Sequence, residues 1–140
     1  MKYQYFLATR WRNKEIAIPL IDLIKKEGKT IYSCFDSRHN TQRIKEDPNE
    51  AMTIFESKEN WQKDQEINDI FHTDMDGLKQ SETLIMLLPA GKSSHIEAGV
   101  AYGMGKKCIL IGEQVETESV YLIFSETYKS IDNFISTLKN

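Results

Sequence analysis

The stretch Leu84-Ile-Met-Leu-Leu-Pro-Ala-Gly-Lys-Ser-Ser-His-Ile-Glu-Ala-Gly-Val-Ala-Tyr-Gly-Met-Gly-Lys-Lys-Cys-Ile-Leu-Ile111 decides the fold of this chain. An apolar run, Leu84 to Leu88, stops at Pro89. A Pro-Ala-Gly-Lys-Ser-Ser turn follows. A helix then carries one acid, Glu97, in its first turn among the small residues Ala98, Gly99, Ala101 and Gly103. Gly105 ends the helix, and a second apolar run, Cys108 to Ile111, begins. Strand, loop, helix, strand is the repeating unit of a parallel α/β sheet. A single carboxylate at the mouth of such a unit is a candidate nucleophile.

Outward from this unit, the chain alternates in the same way. Tyr3 to Ala8 alternates and is β-prone, so it is expected as strand one. Thr9-Arg-Trp-Arg-Asn13 is the loop after it. A helix capped by Asn13 follows, with Ile16, Leu20, Leu23 and Ile24 on one face, Pro19 kinking it and Gly28 closing it. Strand two is expected over Thr30 to Phe35. A polar loop, Asp36 to Asp47, holds Arg38, His39, Arg43 and Lys45. Asp47-Pro48 reads as a cap and first helical residue. The chain is then helical but broken to about Phe71, anchored by Phe55, Trp61, Ile67, Ile70 and Phe71. Thr73 is expected to cap a further helix to Glu82, with Asp74 and Asp76 in its first turn. A fifth strand falls on Val120 to Phe124. Ser130 caps a last helix with Ile131, Phe134, Ile135 and Leu138 on one face.

The expected fold is therefore α/β: one domain over residues 1–140 with a five-stranded parallel, flavodoxin-like sheet in the order 2-1-3-4-5 and helices on both faces. Its switch point lies beyond the carboxyl ends of strands one and three. That places Thr9–Asn13 opposite Pro89–Glu97 and brings Asp74 to the same sheet edge.

With 140 residues, 40% apolar and 28% charged, the chain suits one core in a globular protein. A net charge of −3 argues against binding a nucleic acid polymer. No apolar run approaches the roughly 20 residues that span a bilayer. Met1 to Ala8 is too short and polar for a signal peptide. Cys34 and Cys108 sit in or beside apolar runs with no CxxC pairing, as expected of reduced thiols in a cytoplasmic protein.

An ionised carboxylate in a cleft attacks an anomeric carbon or stabilises an oxocarbenium ion. A helix N-terminus would favour that ionised form of Glu97. The competing reading is a capping box: with Ser94 as N-cap, Glu97 is the third helical residue, and spacing alone favours this. Asp74 is either a second carboxylate of the site or a first-turn acid matched to its helix dipole. Arg10 and Arg12 suit phosphate through their bidentate forks, or are solvated loop cations. Trp11 stacks on a base or sugar, or packs at the rim on the first helix. Gly91, Ser93 and Ser94 form a plausible anion cradle. Gly-Lys-Ser is no P-loop, because position 86 is Met where the motif needs glycine. His95 is a proton-transfer candidate or a surface donor. The isolated His39, His72 and His95 give no metal-ligand spacing, and no dinucleotide fingerprint is present, so neither metal nor cofactor is expected.

The run from Leu87 to Lys107 resembles the Ser-x-x-x-Glu-x-Gly-x-Ala-x-x-x-Gly-Lys stretch of the nucleoside 2-deoxyribosyltransferase superfamily. Tyr5-Phe-Leu-Ala-Thr-Arg-Trp-Arg-Asn13 resembles that family's opening, in a Trp-Arg-Asn form similar to a bacterial and phage subgroup. The segment Asp74 to Glu82 resembles its acidic segment, with Glu82 as second acid in place of Asp. The resemblance implies that Glu97 attacks C1′ of a (deoxy)ribose and that Asp74 assists the leaving base or positions Glu97. It implies Tyr5 beside the nucleophile, Ser93 on the 5′-hydroxyl or 5′-phosphate, and Arg12, then Arg10, on the phosphate. It also implies a homodimer or larger assembly. The alternatives are a non-catalytic module binding a nucleotide or nucleotide-derived signal through Arg10, Arg12 and Arg38, or a glycohydrolase of NAD-like dinucleotides.

Overall fold

The computed structural model describes residues 1–36 and 45–139. Its centre is a five-stranded, all-parallel sheet in the order β2-β1-β3-β4-β5, formed by β1 (Tyr3–Ala8), β2 (Ile31–Tyr32), β3 (Ser81–Leu87), β4 (Lys107–Ile111) and β5 (Glu126–Tyr128). The expected strand order and class hold. The helices are α1 (Lys14–Lys26), α2 (Pro48–Glu56), α3 (Gln65–Lys79), α4 (Lys92–Gly103) and α5 (Ile131–Ser136).

The continuous apolar runs are strands buried on both faces, the pattern that parallel sheets require. Successive side chains alternate between two cores. Leu7, Ile85, Leu87, Ile109 and Ile111 meet α1 and α5 through Leu20, Ile21, Ile24, Phe134 and Ile135. Phe6, Ala8, Leu84, Met86, Cys108 and Leu110 meet α3 and α4 through Leu78, Ala98 and Ala101. The register Phe6↔Leu84↔Cys108 sets one layer of the second core.

Several boundaries differ from expectation. The buried face of α1 is Ala17, Leu20, Ile21 and Ile24: Leu20 and Ile24 are buried as expected, Leu23 is partly buried, and Ile16 is instead 42% exposed. Strand two ends at Tyr32, and Cys34–Asp36 turns instead into a 3-10 helix. Thr73 caps nothing. Asp64 accepts from the Ile67 N–H at 3.0 Å and starts α3, which then runs unbroken through Thr73 and Asp74 to Lys79. Trp61 and Phe71, read as anchors, are exposed. Val120 to Phe124 is β-prone, yet the Glu118 carboxylate accepts from the Val120 N–H and starts a 3-10 turn, Ser119–Ile123. The edge strand is Glu126–Tyr128 instead. Glu126 pairs there with Lys107 on β4, and Tyr128 packs on Phe134 at 5.5 Å. Gly28 closes α1 at φ +77°, Asp47 caps α2, and Ser130 caps α5, as expected. Arg38, His39 and Arg43 lie outside the described residues.

The loops beyond β1 and β3 are laced together by a buried polar chain. The Thr9 hydroxyl donates to the Leu87 carbonyl at 2.9 Å. The Asn13 amide donates to Thr9 Oγ1 at 3.0 Å and to the Pro89 carbonyl. Asn13 therefore spends its side chain on the switch point and makes no side-chain cap for α1. Asn13→Ala leaves a buried hydroxyl and a carbonyl with fewer partners. The expected loss is about 1–3 kcal/mol in urea unfolding.

Candidate active site

A cleft of about 200 Å³ opens at the carboxyl edge of β1 and β3. Thr9 and Trp11 line it from the loop after β1, Ser93 and Glu97 from α4, and Asp74 from α3. Ala51, Met52 and Phe55 of α2 form an apolar wall, with Ile70 of α3, Phe6, Leu7 and Cys34 completing it. Topology had placed the first loop, Asp74 and Glu97 together, and the structure does so.

Glu97 settles against the capping box. The N-cap of α4 is Gly91 and the helix begins at Lys92, so Glu97 is in the second turn and the first turn holds no acid. Ser93 and Glu97 are four apart and share the helix face that lines the cleft. Ser94 is fully buried, its hydroxyl with no hydrogen-bond partner among the described residues. The expectation that the dipole keeps Glu97 ionised is reversed. Burial, with the Asp74 charge adding to it, pushes the Glu97 carboxyl up to about 8. No cation stands among the described residues that line the cleft.

Asp74 reaches the cleft from the middle of α3, not from a first turn. The Tyr32 hydroxyl donates to its Oδ1 at 2.7 Å. The Tyr32 ring stacks on Phe6, centroids 5.3 Å apart and planes at 11°. The ring also rests against Gly77, one turn beyond Asp74 on the same face of α3. A Cβ at Gly77 would stand 2.7 Å from three atoms of that ring. Gly77→Ala gains about 1 kcal/mol in helix propensity but forces a ring held by Phe6 to move. We expect a net loss of about 1–2 kcal/mol in urea unfolding.

Cys34 lies beside both acids. Burial, then the charges of Asp74 and Glu97, push its thiol well above the ordinary range, so it stays protonated. Trp11 lines the cleft and stacks on Phe35 at 4.6 Å; its indole N–H is buried with no acceptor among the described residues.

Other expected site residues are not brought in. Tyr5 faces the α1 and α5 core, edge-on to Phe134 at 5.9 Å, and is not part of the cleft lining. Neighbouring residues of a strand point to opposite faces, and Phe6 takes the Glu97 side. Arg12 is tied to α2, to Glu56 at 2.9 Å and Asn49 at 3.1 Å. Arg10 is exposed, its Cβ 3.7 Å from where a Cβ on Gly91 would lie. His95 is on the opposite side of α4 from Ser93 and Glu97. Its Nδ1 bonds the Gly91 carbonyl and its Nε2 the Tyr121 hydroxyl, both at 2.7 Å. Glu82 is exposed near the start of β3, away from the carboxyl edge.

The α2 wall, Tyr32 and Gly77 were missed in the sequence. Ala51, Met52 and Phe55 carry a helical apolar spacing that reads equally well as core. Nothing local distinguishes Gly77 from a weak point in a helix.

No family model matches this chain, and no curated protein matches it. Solved structures do. A 2-deoxyribosyltransferase from the psychrotolerant bacterium Bacillus psychrosaccharolyticus superposes with a TM-score of 0.63 at 14% identity, over 96% of this chain and 94% of that one. A CMP N-glycosidase of Clostridium botulinum superposes with a TM-score of 0.54 at 18% identity, over 97% of this chain and 98% of that one. At these identities the likeness establishes the fold: along nearly its whole length, this chain has the flavodoxin-like architecture of a deoxyribosyltransferase and a nucleotide N-glycosidase.

Proposed function

We propose that this protein cleaves or transfers at the N-glycosidic bond of a nucleoside or nucleoside 5′-monophosphate, with Glu97 as nucleophile. The observation that carries this reading is the placement of Glu97 and Asp74 in one cleft with Ser93 and an aromatic-lined wall. The fold shared with a deoxyribosyltransferase and an N-glycosidase supports it. The base packs against Trp11 and Phe55, and Ser93 receives the 5′ group. The Glu97 carboxylate attacks C1′. The C1′–O bond forms as the C1′–N bond breaks, and the departing base nitrogen takes up a proton from a water molecule oriented by the Asp74 carboxylate, leaving hydroxide. Water or the nitrogen of a second base then attacks C1′ and frees Glu97. Two displacements give retention, the outcome associated with carboxylates roughly 5 Å apart. Of the two arginines, Arg10 is the better candidate for a 5′-phosphate, since Arg12 is paired with the Glu56 carboxylate while Arg10 makes a long hydrogen bond, 3.4 Å, to the neutral Asn13 side chain.

The reading includes a homodimer or larger assembly in the cytoplasm. Ile96, Tyr102 and Met104 stand exposed on α4, and both cysteines are free thiols. No described helix is long and apolar enough to cross a membrane.

Base release from a panel of nucleosides, deoxynucleosides and their monophosphates, compared with Glu97→Ala, tests the proposal. Equal release from both proteins overturns it. The raised Glu97 carboxyl favours a second reading, in which the protonated acid donates a hydrogen bond to a bound nucleotide without attacking it. Tight binding without turnover, unchanged in Glu97→Gln, would favour that reading. Release of nicotinamide from a dinucleotide would identify a glycohydrolase instead.

A further inference from the structure

We propose that Tyr32 is a positioning residue for this reaction, its ring packed against Phe6 and Gly77 so that the hydroxyl holds the Asp74 carboxylate at the cleft. The catalytic consequence rests on the N-glycosidic reading above; the positioning itself does not.

Asp74 sits mid-helix, where a short acidic side chain has more than one staggered rotamer open to it. The Tyr32 hydroxyl is a partner that fixes it. The Tyr32 hydroxyl donates to Oδ1 at 2.7 Å, within the range of charge-assisted O–H···O⁻ bonds. The donor is itself packed on several sides. Phe6 stacks on one face of the ring, Tyr3 meets it edge-on at 5.6 Å, and Gly77 supplies a flat seat on α3. Any side chain at 77 would occupy the ring's place. Asp74 and Gly77 are three residues apart, so acid and seat lie on one helix face. A phenol ordered by packing has little rotamer freedom left to lose when it holds a carboxylate. Burial and the Asp74 charge keep that phenol protonated, so it remains a donor. The acid so held bears on Glu97, whose carboxyl it raises, and on the Cys34 thiol. Tyr32 thereby acts through Asp74, without lining the cleft itself.

The test is a double-mutant cycle in base release, using wild type, Tyr32→Phe, Asp74→Ala and the double variant. Phenylalanine keeps the ring on Phe6 and Gly77 and removes only the hydroxyl. We expect Tyr32→Phe to lower kcat about 10-fold with KM changed less than about twofold, and to have no further effect on the Asp74→Ala background. An equal loss on both backgrounds, or no loss on either, overturns the proposal. A wild-type protein that releases no base from any substrate would defeat the glycosidic reading separately. The contact is then read from the ¹³Cζ resonance of Tyr32, in wild type and in Asp74→Ala. A shift sustains the positioning of Asp74; an unmoved resonance overturns it.

Discussion

Glu97→Ala is expected to lower base release on the order of 10³-fold or more, about 4 kcal/mol of barrier. Without the carboxylate, no covalent intermediate forms and one difficult displacement must occur in a single step. Glu97→Gln should fall as far, because the amide keeps the shape and loses the nucleophile. The wild-type pH profile carries a further expectation. With the free carboxyl at about 8, only a minority of molecules at neutral pH hold the ionised form. The kcat/KM for base release should therefore rise with pH and level off above about 8. Substrate changes the balance, since positive charge developing at C1′ stabilises the carboxylate just where burial destabilises it. Values of kcat/KM at about ten points from roughly pH 5.5 to 9.5 are the measurement. A profile flat across that range would remove Glu97 from the role of ionised nucleophile.

Stability should follow the same group in the opposite direction. The Glu97 carboxyl ionises near 4.5 in an ordinary environment and near 8 in the folded protein. Between those values the native state holds a proton that the unfolded chain has released. The unfolded state then binds fewer protons, so unfolding becomes easier as pH rises. The stabilisation is present in full below about 4.5 and is lost as pH rises through about 8. Its upper bound is on the order of a few kcal/mol, reduced by whatever solvent reaches the cleft. Glu97→Gln cannot ionise and should lose this slope. The variant should melt at or below the wild-type temperature near pH 5.5, and above it near pH 8.5. The change in the Tm difference across that interval should be roughly 5–10 °C. Parallel melting curves for the two proteins would show that burial does not raise the carboxyl. This experiment needs no substrate and stands whether or not the chain is an enzyme.

The elements legible in the sequence were those written in local periodicity. The runs Leu84 to Leu87 and Cys108 to Ile111 could only be strands covered on both faces, and alternation with helices then ordered the sheet. Boundaries failed where a side chain made a local hydrogen bond stronger than the propensity around it. Glu118 turned a β-prone pentapeptide into a 3-10 helix, and Asp64 capped a helix that ran on through the supposed start at Thr73. Of the cleft lining, Glu97, Asp74, Trp11, Thr9 and Ser93 were readable because topology alone gathers them at one edge. Tyr5 and Arg12 were not. A strand sends neighbouring side chains to opposite faces, and an arginine goes to whichever carboxylate the fold presents, here Glu56.

What the sequence determined by itself was a parallel sheet in the order 2-1-3-4-5, with a glutamate after its third strand. Hydrophobic period and turn residues are properties of neighbours along the chain. The state of that glutamate was decided only by tertiary structure. As a helix-capping residue it would be ionised; three residues of helix added before it, from Lys92 to Ser94, carry it into the second turn and into the cleft. There burial and Asp74 raise it, while Tyr32, 42 positions earlier, holds Asp74 in place. Desolvation and charge act through space, so a group's acidity depends on residues that no local spacing reveals.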